Sequence, residues 1–346
     1  MITYSAPYAR MRALKGKFLG QAQIESLLQS PDVQSVMSLL SQTDYWEQVQ
    51  NLSTSREIEH GLKQNLILNY IKILTFLRGR PARFVTTLLE KFDLLNLKAI
   101  IRSLINQNLS TEKSAPFIFS LGKYHKIPIE KALEARNMGE LLRVMENTPY
   151  FRPIEIGYQQ YEAEKSSLPL EIALDLDYYS RLQSDFNSLG IVDKIIAGKL
   201  LGIDYDIINL TWMVRFKEYH KLSPEQIYQY ILPNGWKIQR QVFWRIIASG
   251  DILDSIKDHH IRPYDRVLDL SEPINDNADL GAEITLLRFL YNQSSKALQG
   301  FPLHIASFLG FFIMKEMEIR DIMAIFNGKS LGLPQDQIRK YLITLH

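Results

Sequence analysis

Apolar residues in this chain fall three and four places apart over long stretches, and the longest of these stripes recur. Leu94, Leu97, Ile100 and Ile101 stand one, four, seven and eight places after Asp93. Ile207, Leu210, Met213 and Val214 hold the same places after Asp206, as do Ile319, Ile322, Ile325 and Phe326 after Glu318. Such spacing gives one apolar face to a helix that turns about 100° per residue. Each stripe carries polar marks at matching offsets. Asn96 and Asn209 lie three places after their acid, with Asp321 in the third copy, and Arg102 and Arg215 lie nine places after, with Asn327 in the third. On a helix the acid and the amide share one edge of the stripe, and the arginine lies away from it.

Two further patterns keep the same beat. Glu59, Glu171 and Glu283, spaced by 112 residues, open apolar-periodic segments that read EHGL, EIAL and EITL. Three sixteen-residue pieces, Ser30–Tyr45, Ala135–Tyr150 and Ser249–Tyr264, carry Asp or Asn in third place and end in Tyr. Asp32, Asn137 and Asp251 therefore predict helix N-caps, where a side-chain oxygen accepts from free backbone N–H groups. Ser30-Pro31 reads as another cap followed by a first helical position. In each third the order is a short capped helix, a Glu-led long helix and an Asp-led long helix. The fold expected is all-α, with three similar helical domains at 1–115, 116–234 and 235–346. The boundaries are expected near Ser110–Phe117 and Ile231–Ile238, where Pro, Gly and polar residues break the periodicity. The most strand-like stretch, DRVLDLSEP from Asp265, reads as loop or helix edge. A second stripe of Ile208, Trp212, Phe216 and Tyr219 predicts a helix buried on both faces.

Composition narrows the classes. The chain has 346 residues, 46% hydrophobic and 23% charged, enough for two or three cores. A net charge of +2 supplies no whole-molecule field for nucleic acid. The absence of cysteine excludes disulfides, thiolate nucleophiles and cysteine metal sites, and suits a reducing compartment. Leu66–Leu77 and Phe301–Lys315 are the most apolar runs; both are too short and too interrupted to span a bilayer and read as buried helices. The first 24 residues carry Arg10, Arg12, Lys15 and Lys17 and no acid. That resembles a transit peptide in composition, but helical periodicity favours an amphipathic first helix.

Reactive constellations are not found. NGKSLGL (Asn327–Leu333) lacks the first glycine of a phosphate-binding loop, since Met323 stands there; Gly328 reads instead as a helix C-cap. His259 and His260 are neighbours, about 100° apart on a helix, and make a poor metal pair. His304 reads as a hydrogen-bonded core residue, and Asp175 and Asp177 as part of a solvated helix face. No catalytic, cofactor-binding or metal-binding residue is expected. For Asp93, Asn96, Asp206 and Asn209 the expectation is a buried polar bond between helices. Arg102 and Arg215 admit two readings: a salt bridge to the next helix, or a contact with a partner on an inner wall.

Several segments resemble one family together and in order. They are YARMRALKGKFL from Tyr8, LLSQTDYW from Leu39, LLNLKAIIRSL from Leu94, ENTPYF from Glu146, EIALDLDYYSRL from Glu171, the long run Ile203–Gly235, and the final run Phe311–Ile343. The family is the C subunit of prokaryotic V/A-type ATPases, counterpart of the eukaryotic d subunit. The resemblance implies three helical domains about a pseudo-threefold axis, forming a funnel. It also implies a non-catalytic place in the rotor between the D and F subunits of the shaft and the membrane ring of proteolipid subunits, for ATP-linked proton or sodium transport. No cofactor, nucleic acid or transmembrane segment is implied; the place is peripheral, on the cytoplasmic face of the membrane. Asn327 departs from the arginine usual at that position. Arg10, Arg12, Lys15, Lys17, Arg102 and Arg215 are the candidate partner-interface residues. A free-standing helical scaffold that binds a protein through a concave face is the alternative.

Overall fold

A computed structural model of the chain describes residues 2–106, 117–164, 166–248, 251–300 and 302–345. The first third holds α1 (Ile2–Lys15), α2 (Gln21–Gln29), α3 (Val33–Leu40), α4 (Trp46–Val49), α5 (Ser55–Leu74) and α6 (Gly79–Asn106). A 3₁₀ turn at Gly122–Tyr124 precedes α7 (Ile129–Glu134), α8 (Met138–Met145), α9 (Phe151–Glu164), α10 (Leu168–Asn187) and α11 (Ile191–Glu218). Then come α12 (Pro224–Gln229), α13 (Arg240–Ile247), α14 (Ile252–Asp258), α15 (Tyr264–Leu268), α16 (Ala278–Gln299), α17 (Ile305–Ser330) and α18 (Gln335–Lys340). The fold is all-α; among the described residues the one β-type contact is an isolated bridge between Ile274 and Asn277. The strand-like stretch from Asp265 is the end of α15 and a turn.

The long helices recur in size: α5, α10 and α16 have 20, 20 and 22 residues, and α6, α11 and α17 have 28, 28 and 26. The short helices begin where the sequence places them. Asp32 accepts from the N–H of Ser35, Asn137 from that of Glu140, and Asp251 from those of Leu253 and Asp254. Each side-chain oxygen satisfies a first-turn donor that the helix itself cannot. Two terminal expectations are corrected. Ser30 ends α2 and does not begin α3, because Asp32 takes the cap. Gly328 lies inside α17, packed on Ile338; the left-handed residue after that helix is Gly332, at φ 68°.

The chain forms two compact units, Ile67–Leu189 and Met1–Leu66 with Gly190–His346. α5 runs across the division. The boundary expected near residue 110 falls on residues outside those described. In the unit Ile67–Leu189, α10 packs on α6 and α9, around Phe84, Leu97, Leu170 and Leu174. In the other unit α17 is the central helix, with α16 and α11 along it and α1, α2, α3 and α18 against it. α17 is buried over most of its surface, through Phe308, Phe311, Phe312, Met314 and Ile322, with Arg320 and Asn327 left exposed. α11 is less fully buried than its second stripe implies: Phe216 is buried, but Tyr219 is 72% exposed.

Candidate functional site

The polar marks on the three longest helices occupy equivalent places and meet equivalent targets. Asn96 on α6 accepts from the N–H of Phe119 at 2.8 Å and donates to its carbonyl at 2.9 Å. Asn209 on α11 does the same to Leu232, both bonds at 2.9 Å. In both cases the target lies 23 residues on. A side-chain amide has a donor and an acceptor side by side, so it satisfies both groups of one buried residue. On α17 the position holds Asp321, which cannot donate when ionised. It accepts instead from two N–H groups, of Ile343 at 2.7 Å and Thr344 at 2.8 Å, and from the Thr344 hydroxyl. The expectation of a bond between helices is thus corrected for Asn96 and Asn209, whose targets are chain segments outside the helices with no ladder to join, while Asp206 does bond across helices, to Tyr264 of α15.

The acid three places earlier is also a receiver. Asp93 accepts from the N–H of Lys126 at 2.6 Å and from His125 Nδ1 at 2.7 Å. His125 Nε2 accepts from the N–H of Leu121, which puts the ring proton on Nδ1 toward the carboxylate. Asp206 accepts from the N–H groups of Lys237 and Ile238 and from the hydroxyl of Tyr264 at 2.7 Å. Burial pushes the Asp206 carboxyl up to about 6, against the pull of those three donors. Glycine makes the approach possible. A Cβ on Gly235 would collide with the Asp206 carboxylate, and one on Gly202 would stand 2.9 Å from the Trp236 backbone nitrogen.

Glu318, the third acid, is held by the far end of the sequence. It accepts from the Leu19 N–H at 2.7 Å and the Tyr45 hydroxyl at 2.6 Å, and pairs with Lys315 at 3.0 Å. Lys315 is 1% exposed, and its ammonium lies 3.9 Å from the Tyr45 ring centroid and 5.1 Å from that of Phe18. The closing tyrosines of two sixteen-residue pieces, Tyr45 and Tyr264, are therefore carboxylate ligands. The third, Tyr150, bonds no carboxylate; its ring is buried, and the Arg181 guanidinium lies 5.1 Å from its centroid.

The candidate interface residues are dispersed. Arg10 and Arg12 are exposed on α1, Lys15 is half-buried, and Lys17 pairs with Asp44. Burial and the neighbouring Arg12 hold the Lys15 ammonium below its ordinary range. Arg102 forms a two-pronged pair with Glu171, the salt bridge expected of it. Arg215 has no ion-pair partner among the described residues. It lines a cavity of about 380 Å³ with Leu210, Val214, Leu253, Leu280 and Leu286 and with the acid Asp279. Glu283, which corresponds to Glu171, also lines that cavity but approaches Arg320 at 3.8 Å. Asn327 accepts from the Ser55 hydroxyl. Asp175 and Asp177 are not simply solvated: they pair with Lys98 and Arg181. His304 is buried at the N-cap of α17, and His259 and His260 are exposed at the end of α14.

Sequence reading missed His125, Lys315 and the roles of the tyrosines. The tyrosines had a signal, their recurrence at the close of each piece; His125 and Lys315 had none. Among the described residues no group of three or more His, Asp or Glu could hold a metal ion, and no helix is long and apolar enough to cross a membrane. What these buried polar groups can do is fix segments to long helices.

Comparison with known proteins agrees with the resemblance read from the segments. The sequence matches the family described as ATP synthase (C/AC39) subunit over residues 7–341. It is similar to the A-type ATP synthase C subunit of Methanocaldococcus jannaschii, 25% identical across 100% of this chain and 88% of that protein. The corresponding protein of Pyrococcus abyssi is 25% identical, across 97% and 89%. That of a Desulfurococcus species is 27% identical, across 97% and 90%.

Proposed function

The chain belongs to the ATP synthase (C/AC39) subunit family, and from that premise we propose that it is the non-catalytic rotor component between the D–F shaft and the proteolipid ring of a V/A-type ATPase. Its work there is to carry torque for ATP-linked proton or sodium transport, from a peripheral position on the cytoplasmic face. The observation that carries the reading is the match along nearly the whole chain, residues 7–341. The physical chemistry supports it. A torque adaptor needs stiffness, and three long helices with buried carboxylates and amides bonded to neighbouring backbone supply it. Three similar helical domains remain part of this proposal.

Two surfaces are proposed for partners. The exposed cations of α1, Arg10 and Arg12, with Lys15 and Lys17, face the membrane side, where anionic headgroups attract them. The Arg215 cavity, with its apolar floor and a guanidinium that no described residue pairs, receives an apolar side chain and a carboxylate from the shaft. The test is assembly of the ATPase with this chain omitted. ATP hydrolysis by the soluble part persists while ion transport stops. Transport that continues without the chain refutes the proposal.

A further inference from the structure

The first two turns of α11 present Ile191, Val192, Ile195 and Ile196, which are 72%, 61%, 72% and 36% exposed. The four fall on one side of a helix, at places 1, 2, 5 and 6. Nothing in the recurring helix pattern requires them. The matching places in and just before α6 hold Arg78, Gly79, Ala82 and Arg83. At the matching places in and just before α17, Leu303 is half-buried and His304, Ser307 and Phe308 are buried, and the Tyr4 ring of α1 lies 5.8 Å from the Phe308 ring. Of the three long helices, α11 alone offers branched aliphatic side chains to solvent there.

The helix bonded to this stretch carries cations. The one acid within the stretch, Asp193, is turned to its neighbours: it accepts from the Tyr4 hydroxyl at 2.6 Å and from the Ile305 N–H at 2.9 Å. The first of these bonds fixes α1 beside the start of α11. α1 carries Arg10 and Arg12 on its exposed side, about 9–12 Å further along its axis from Tyr4. Lys194 lies between the aliphatic pairs. Side chains this exposed form a ridge, not a groove, so they fit a soft apolar layer better than a shaped pocket. Shallow insertion of apolar side chains plus nearby cations is the two-part signal of reversible attachment to anionic bilayers.

We propose that the Ile191–Ile196 ridge and the cations of α1 together dock on the headgroup layer of an anionic phospholipid bilayer. This deepens the membrane-side placement proposed above and rests on it. The full chain is mixed with vesicles of phosphatidylcholine alone, or of equal parts phosphatidylcholine and phosphatidylglycerol, and floated. Binding to the anionic vesicles exceeds that to the neutral ones by about tenfold or more. The variant Ile191→Ser/Ile195→Ser loses about tenfold, and Arg10→Glu/Arg12→Glu loses a similar factor. Both variants retain the helical signal, since the altered side chains are exposed, and both still join the detergent-solubilised ATPase complex. Equal binding of wild type and the isoleucine variant, or no preference for the anionic vesicles, overturns the proposal. So does failure of the isoleucine variant to join the complex in detergent, which makes the ridge a protein contact. A wild-type dimer that the same variant abolishes makes it a self-contact and overturns it too. Failure of the wild-type chain to join the complex refutes the rotor reading instead and leaves the vesicle result standing.

Discussion

In the unit Ile67–Leu189, the acid of α6 is held by an imidazole; in the other unit, the acid of α11 is held by a phenol. Asp93 and Asp206 stand within one residue of the same place on helices of equal length, and each takes the N–H of a residue 31–33 places on. The remaining ligand differs, His125 for one and Tyr264 for the other. Where histidine does the work, the tyrosine that corresponds to Tyr264, Tyr150, makes no hydrogen bond to the carboxylate and lies beside Arg181. The long helix thus fixes where the carboxylate sits, while the following segment is free to change the donor as long as one arrives. Glu318 extends the comparison: its donors come from Leu19 and Tyr45, and it alone has a buried cation beside it.

That cation sets the largest expected effect. Glu318→Ala strands the Lys315 ammonium in the core and frees Tyr45 and Leu19 together. The loss is about 3–5 kcal/mol, as for breaking a buried ion pair from one side. Trp46, Trp212, Trp236 and Trp244 all lie in this unit, so tryptophan fluorescence in urea follows it. Asp93→Ala in the other unit strands no cation and costs about 2 kcal/mol, the desolvation of donors left unpaired. That unit has no tryptophan, and its loss is read by far-ultraviolet circular dichroism. Equal losses for the two variants would show that Lys315 recovers its solvation and that the charged lock is no stronger than the neutral ones.

Next in size is the pH response of Asp206. Its folded carboxyl titrates at about 6, above its ordinary 3.8, so between those values the folded state binds more protons than the unfolded one. Stability contributed by this group is greatest below about 3.8 and falls as pH rises to about 6, by roughly 3 kcal/mol across the window. Asp206→Asn abolishes that titration and sets its amide against the Lys237 and Ile238 donors, costing about 2–4 kcal/mol at acid pH. Its deficit relative to wild type then shrinks by about 2 kcal/mol between pH 4.5 and 7.5, measured by urea unfolding followed by fluorescence. A deficit that does not change with pH would show that burial does not raise this carboxyl.

Much of this arrangement is legible in the sequence, and the illegible parts share a cause. Helix periodicity locates α6, α11 and α17, and the recurring Asp and Asn locate the caps of α3, α8 and α14 and the anchors on the long helices, because those choices are decided within a few residues. Asp321 in place of asparagine is a readable departure, and its targets are donors only. The partners are another matter. Tyr45 is 273 residues from Glu318 and Leu19 is 299 away, and no local rule links them. The exposed isoleucines of α11 satisfy the same periodicity as a buried face, so pattern alone assigns them to the core. Arg102 and Arg215 look equivalent because they share an offset, yet the pairing is decided by Glu283, which approaches Arg320.

The donor swap itself yields a smaller effect. Tyr264→Phe removes a buried hydroxyl bonded to Asp206 and leaves one carboxylate oxygen short, at a cost of about 1–2 kcal/mol. His125→Ala removes a ligand whose side chain is 21% exposed, where water reaches the vacated place, and costs about 1 kcal/mol. Fluorescence reads the first and circular dichroism the second. A larger loss at His125 would make the imidazole the stronger clamp and reverse the ranking of the two units.

The smallest effects on stability come from the two arginines, and they separate a structural from a binding role. Arg102 and Glu171 are 57% and 19% exposed at their side chains, so the pair sits largely in solvent and Arg102→Ala costs under about 1 kcal/mol. Arg215→Ala breaks no ion pair among the described residues and changes stability by less than about 0.5 kcal/mol. If the cavity beside Arg215 receives a partner carboxylate, the same substitution weakens capture of the D–F shaft by about tenfold, because a charge-assisted contact made only in the complex is lost. Arg102, already satisfied by Glu171, gives little change in that capture. Equal behaviour of the two variants in the shaft-binding assay would remove the cavity from the interface, and a loss confined to Arg102→Ala would move the interface to the other unit.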